Sequence, residues 1–226
     1  MQHELCFNMN HTEQLIKVGT AYVDALNKLD KNHPENVACI LDILDCVHPD
    51  PGYRLGVYIK KFSSYPFISR FRIHCYQGGE EPIMVQSDKL PEYDNDKRLY
   101  HKYTYELFNH LIIERSLMGA WQAYLLSISN RLPPCPSIGT EPLFDIEQLH
   151  GICLILKITG RPEPIITRDD LSPSVSWYGN HIKVSSCYWN YRKGLIRETV
   201  YFSFGEDNRI HIGNYYDEIL YKIRLI

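Results

Sequence analysis

From Pro164 onward the sequence offers the backbone little except short alternating runs separated by turns. Stretches near 174–178, 181–190, 195–204 and 208–213 are joined by Gly179–Asn180, Lys193–Gly194 and Glu206–Asp207–Asn208. Short Gly/Asn-type connections fold a strand back on its predecessor. The C-terminal half is therefore expected to be an antiparallel β-rich unit, with its last ten residues fitting strand or helix.

The first half reads differently. Thr12 can cap a helix whose apolar residues, Leu15, Val18, Tyr22, Ala25, Leu26 and Leu29, recur every three or four positions. Pro34 suits the start of a second helix, with Val37, Ile40, Leu41 and Leu44 on one face. At Tyr53 the period drops to two: Tyr53, Leu55, Val57 and Ile59 alternate with Arg54, Gly56, Tyr58 and Lys60. Phe67, Phe71, Ile73 and Cys75 do the same against Ile68, Arg70, Arg72, His74 and Tyr76. Both read as half-buried strands of a small antiparallel sheet, with "IMVQ" as a third short one.

Between Arg98 and Leu132 there is no proline and one glycine, Gly119. The 3–4 spacing of Leu107, Leu111, Glu114, Met118, Trp121, Leu125 and Ile128 predicts one long helix, or two broken near Gly119. "RLPPCPSIGTEP" must follow as loop, because three prolines stand within four positions. That loop divides the chain into a helix-and-sheet part, 1–132, and a β-rich part, 133–226, which together could form one continuous domain. Residues 145–159 fit a helix, opened by Asp145 with Gln148 as a capping box, and a buried strand equally well. The expected class is α+β.

The 226 residues hold 44% apolar and 23% charged side chains, which suits a globular chain with a core of its own. No apolar run approaches the length of a bilayer crossing, and "MQHELCFNMN" has no basic-then-apolar leader, so no membrane association and a cytoplasmic location are expected. Seven scattered cysteines with no CxxC pair predict free thiols and no cysteine metal site.

The net charge of -3 is unevenly placed. Residues 1–50 carry eight acids against three bases, whereas residues 51–76 carry five bases and no acid. With the apolar set of the two strands facing inward, Tyr58, Arg70, Arg72 and His74 share the opposite face. Such a face can bind an anionic ligand, or the acidic N-terminal helices can neutralise it within the fold. A chain so near neutrality has no general attraction for nucleic acid, so that partner is not expected.

Other groupings have ordinary readings. Glu106, His110 and Glu114 at i,i+4 spacing would form a solvated helix face. Asp169–Asp170 in "DDLSP" suits a turn or cap better than a cation. There is no GxSxG, HExxH, P-loop or GxGxxG, and no cofactor or metal is implied.

The segment "SWYGNHIKVSSCYWNYRKG", Ser176 to Gly194, holds three tyrosines, two tryptophans and no acid. Alternation counted from Ile182 puts Trp177 and Tyr188 toward the core and Trp189 outward, with Arg192 near the turn. An exposed Trp189–Arg192 patch suits a protein partner. The functional expectation is a non-enzymatic cytosolic protein-binding module, of the kind that neutralises a partner as an immunity or antitoxin protein does. The alternatives are an enzyme of unfamiliar type acting on an anionic small molecule at the basic face, and a single-stranded nucleic-acid binder using aromatic stacking.

Overall fold

In a computed structural model the described residues are 9–27, 38–62, 65–77, 84–87, 107–129, 140–144, 146–158, 165–190, 193–207 and 209–222. Helix α1 (Met9–Asn27) begins three residues before Thr12, and α2 (Ala38–Ile43) is short. Strand β1 (Val47–Pro49) follows, then the long hairpin β2 (Tyr53–Phe62) and β3 (Tyr65–Gln77). Strand β4 (Met84–Ser87) adds to the free edge of β2, in parallel, so this small sheet is mixed and not purely antiparallel.

The long helix expected over 98–132 is not continuous. Leu107 and Phe108 are helical, but the chain then turns into strand β5 (Leu111–Ile113), which pairs antiparallel with β1. Ile112 and Ile113 are β-branched, and their pairing with His48 and Val47 overrides the helical spacing. The helix proper is α3 (Leu117–Ser129). Ser116 caps it, its Oγ accepting from the Gly119 amide at 2.9 Å. Ala120 through Ile128 are buried on every side, which makes α3 the central helix of the molecule. Its two buried polar side chains are satisfied: Ser127 Oγ donates to the Tyr124 carbonyl, and Gln122 bridges Asp45 and the Cys46 amide.

Helix α1 packs on α2 and α3 through Leu15, Gly19 and Tyr22. Trp121 fixes the crossing by donating its indole N–H to the Leu15 carbonyl at 3.0 Å. A Cβ on Gly19 would stand 2.9 Å from the Phe144 ring, so the close approach there depends on glycine.

The C-terminal sheet contains β6 (Thr140–Leu143), β7 (Ser174–Tyr178), β8 (His181–Asn190), β9 (Gly194–Phe204) and β10 (Ile210–Lys222). The order runs β10, β9, β8, and the far edge of β8 is shared by β7 along Ser185–His181 and β6 along Asn190–Cys187. All of these pairs are antiparallel, and the last residues before 223 are strand. Residues 146–158 are helical, as α4 (Ile146–Ile158). A one-turn helix, α5 (Arg168–Leu171), precedes β7.

Both faces of this sheet are used, at opposite ends. The β8–β9 register runs without a shift from His181–Ser203 to Asn190–Gly194, so alternation is strict. Ile182, Val184, Val200 and Phe202 point inward to a core shared with α1 and α3. Cys187, Trp189 and Leu195, of opposite parity, point outward into a second cluster built by Leu149, Ile152 and Leu156 of α4. The larger core thus mixes residues from both halves of the sequence. Among the described residues, no helix is long and apolar enough to cross a membrane.

Candidate binding surface

The second cluster explains the main departure from the sequence reading. Trp189 does face away from Ile182, but α4 covers that end of the outer face. Trp189 is 1% exposed and stacks on Tyr221 with ring centroids 6.0 Å apart. Its expected role in an exposed patch is therefore corrected: it is core. Trp177 lies on the inner face, opposite Ile182, but β7 is an edge strand, and 40% of the residue is exposed. Tyr188 shares that inner face and is half-buried. Arg192 lies outside the described residues.

Among the described residues, no helix packs on the other end of the outer face. Tyr178 of β7, Tyr201 of β9 and Tyr216 of β10 form a row across the strands. Tyr178 and Tyr201 meet edge to face at 5.8 Å, and Tyr201 and Tyr216 do so at 6.0 Å. Tyr178 and Tyr216 are 60% and 58% exposed. The register explains the alignment: Tyr178 is opposite His181, Lys183 opposite Tyr201, and Thr199 opposite Tyr216. The two-residue turn with Gly179 at φ 60° sets the first of these pairs. Hydroxyls lie among the rings, with Ser176 opposite Lys183 and Ser185 donated to by Thr199 Oγ1 at 3.2 Å.

An ionic fence separates the open end from the covered one. Arg197 Nη2 donates to the Asp170 carbonyl at 2.8 Å, and its Nη1 lies 3.4 Å from Glu218. Asp170 belongs to a capping box, accepting from the Thr167 amide at 2.9 Å and hydroxyl at 2.6 Å. These bonds, the hydroxyl first, hold the Asp170 carboxyl below the ordinary aspartate range. Asp170 thus completes a helix cap opened by Thr167, in line with the turn chemistry, and Asp169 stands beside it in the first turn.

The register of β2 and β3 aligns the basic positions. Tyr58 pairs with Arg72, Lys60 with Arg70 and Gly56 with His74, whereas Leu55 pairs with Cys75 and Val57 with Ile73. Leu55 and Ile73 are in the core, so the first set occupies the opposite sheet face. The side chains of Tyr58, Arg70, Arg72 and His74 lie outside what is described. Arg54, beside them, is exposed.

The expected face of Glu106, His110 and Glu114 does not form. Glu106 is outside the described residues, and His110 and Glu114 flank strand β5. His110 instead stacks on Tyr53 at 4.2 Å, and its carbonyl accepts from the Asp50 amide. Arg209 closes this corner from the C-terminal sheet, donating to Asp50 Oδ2 at 2.8 Å and to the Asn109 carbonyl.

Cys46 lies beside Asp45 and Glu114, and His48 Nε2 is 3.9 Å from the Glu114 carboxylate. Burial first, then the Asp45 and Glu114 carboxylates, push the Cys46 thiol up to about 12. A thiol surrounded by acids does not supply a thiolate nucleophile at neutral pH. Burial likewise raises Cys75 to about 12 and Cys187 to about 11. The five described cysteines, Cys39, Cys46, Cys75, Cys153 and Cys187, are free. Among the described residues, no three metal-ligating side chains converge.

Sequence reasoning missed the tyrosine row, although a signal was present. Counting parity from the Gly179–Asn180 turn through "KVSS" to "TVYFSF" places Tyr178, Lys183 and Tyr201 on one face. No family model, curated protein or solved structure matches the chain.

Proposed function

We propose that the chain is a protein-binding module that recognises its partner through the open end of the outer sheet face. The observation that supports this is the row formed by exposed Tyr178 and Tyr216 with half-buried Tyr201 between them, on strands β7, β10 and β9. Tyrosine offers a large, amphipathic contact at low entropic cost, and the half-buried Ser176 lies on the same face beside the row. This is the composition on which antibody paratopes rely, and tyrosine is enriched among residues that dominate protein interfaces. Neutralisation of the bound partner, in the manner of an immunity protein, is the finer form of the reading.

The test is affinity capture from the native cell, comparing the wild-type chain with a Tyr178→Ala/Tyr216→Ala double variant. Both side chains are exposed, so the variant should keep the wild-type circular dichroism spectrum and melting temperature. A partner retained by the wild type should be lost from the variant, and cross-links should map to Lys183. A partner held equally by both would show that this face is a solvated sheet surface.

One observation favours a second reading. The alignment of Tyr58, Arg70, Arg72 and His74 on one face of β2–β3 suits an anionic ligand, including the substrate of an unfamiliar enzyme. Arg70→Gln/Arg72→Gln with unchanged stability and weakened binding of such a ligand, more so at low salt, would support it.

A further inference from the structure

We propose that the open end of the outer face takes an acidic polypeptide segment laid across the strands, an inference that rests on the protein-binding reading above. The charge inventory of this face is one-sided. Lys183, His181 and His211 stand on it, and from the Ser174–Tyr178 edge to Tyr216 none of its described register positions holds a carboxylate. The nearest acids are already engaged. Asp170 and Glu218 lie against Arg197, and Asp207 is 3.3 Å from Arg209. Asp217 has the other parity, opposite Glu198 on the inner face. A chain of net charge -3 has thus left one aromatic surface without an acid, and complementarity there selects a negative partner.

The dimensions suit an extended segment. Crossing from β7 to β10 spans about 14 Å at ordinary strand spacing, the reach of roughly four extended residues. The rings offer apolar contact along that path, with Lys183 beside Tyr201 at its centre. A polyphosphate is disfavoured, because its affinity comes from neutralising successive phosphates with Lys or Arg, and the described residues of this open end include a single lysine. A second copy packed through the same face would bring lysine toward lysine with no acid to answer it.

The probe is a phage-displayed library of random peptides, panned against the full chain. A synthetic copy of the leading sequence is then titrated by fluorescence anisotropy. Enriched peptides should carry an acidic excess. Lys183→Glu should weaken the leading peptide about tenfold, since it replaces attraction by repulsion at a half-buried position beside the rings. Affinity should fall as salt rises, and Tyr178→Ala/Tyr216→Ala should abolish binding. If Lys183→Glu disturbs the fold, Lys183→Gln should still weaken binding severalfold with the wild-type melting curve. Enriched peptides without acidic excess, or indifferent to both lysine variants but lost on the tyrosine variant, would overturn the acidic partner and leave the face as a protein site. Acidic peptides that ignore the tyrosine variant would overturn the protein-binding reading of this face itself. An empty selection, or retention of an oligo(dT) probe in place of peptides, would overturn both.

Discussion

Gly119→Ala is expected to destabilise the protein, although alanine is the better helix former. Gly119 sits in the first turn of α3, just after the chain leaves β5 and folds back at Glu114–Ser116. A Cβ at this position would stand 2.2 Å from the Glu114 carbonyl oxygen, where ordinary contact begins at 3.4 Å. The backbone must therefore yield by more than an ångström, and it is held from three sides. The Glu114 amide donates to the Cys46 carbonyl at 2.9 Å, the Glu114 carbonyl accepts from Ser116 at 2.7 Å, and Ser116 Oγ caps Gly119 at 2.9 Å. Overpacking of this kind costs about 1–3 kcal/mol, and a weakened cap adds ~1 kcal/mol. Alanine's helical advantage returns at most ~1 kcal/mol. The net loss is about 1–3 kcal/mol, which for a chain of this size lowers Tm by roughly 2–12 °C. Gly151→Ala is the internal control. Gly151 is an exposed position inside α4 with nothing within 4 Å of the added Cβ. There the same substitution should stabilise by about 0.5–1 kcal/mol. Urea titrations followed by circular dichroism, at equal slope, give both values. A Gly119→Ala midpoint at or above wild type would refute the fold-back at Glu114–Ser116 and the strand β5 that leads into it.

Trp189→Ala should cost about 3–5 kcal/mol in a denaturant titration, as a fully buried aromatic does. Trp177→Ala should cost clearly less, and the reverse ranking would show that α4 does not cover the Trp189 end of the sheet. Brief alkylation of the native protein near pH 8, read by mass spectrometry, should label exposed Cys39 well before Cys46, Cys75 and Cys187, whose thiols are pushed up from 9.0 by burial. Because the unfolded chain ionises these thiols first, stability should be full below pH 9 and fall between pH 9 and about 12, in an alkaline unfolding series compared with their serine variants. Arg209→Ala should cost about 1–2 kcal/mol through lost charge-assisted bonds. A double-mutant cycle with Asp50→Asn should return a coupling of at least ~0.5 kcal/mol, whereas zero coupling would mean that this tie between the halves is absent in solution.

The elements that were legible in the sequence are those whose period is set locally. The β2–β3 alternation, the turns at Gly179–Asn180 and Lys193–Gly194, and the leucine spacing of α1 each follow from residues within a few positions of one another, and each appears in the fold. The stretch 107–116 was illegible for the complementary reason. Leu107 and Leu111 keep helical spacing, but Leu111–Ile113 finds its partner in Val47–Pro49, more than sixty residues away. A long-range pairing overrides local spacing and leaves no local trace. The parallel addition of β4 to β2 belongs to the same class.

The site shows the same limit in a sharper form. Parity counted from Ile182 placed Trp189 and Trp177 on the correct faces of the sheet, and the register confirms those faces. What parity cannot carry is which end of a face another element covers. That depends on α4, whose sequence fitted strand as well as helix, and on β7 ending as an edge. Coverage by α4 buries Trp189, and its absence beyond Arg197 leaves the tyrosine row exposed. The aromatic content of Ser176–Gly194 therefore divides between core and surface by position along the strands as much as by face. Tyr178 and Lys183 belong to the surface group because they lie where β7 pairs with β8, with Lys183 four residues before the helix-covered Cys187. Tyr201 and Tyr216, which complete the row, lie outside that segment and join Tyr178 only through the β7–β8–β9–β10 pairing, which local alternation does not reveal.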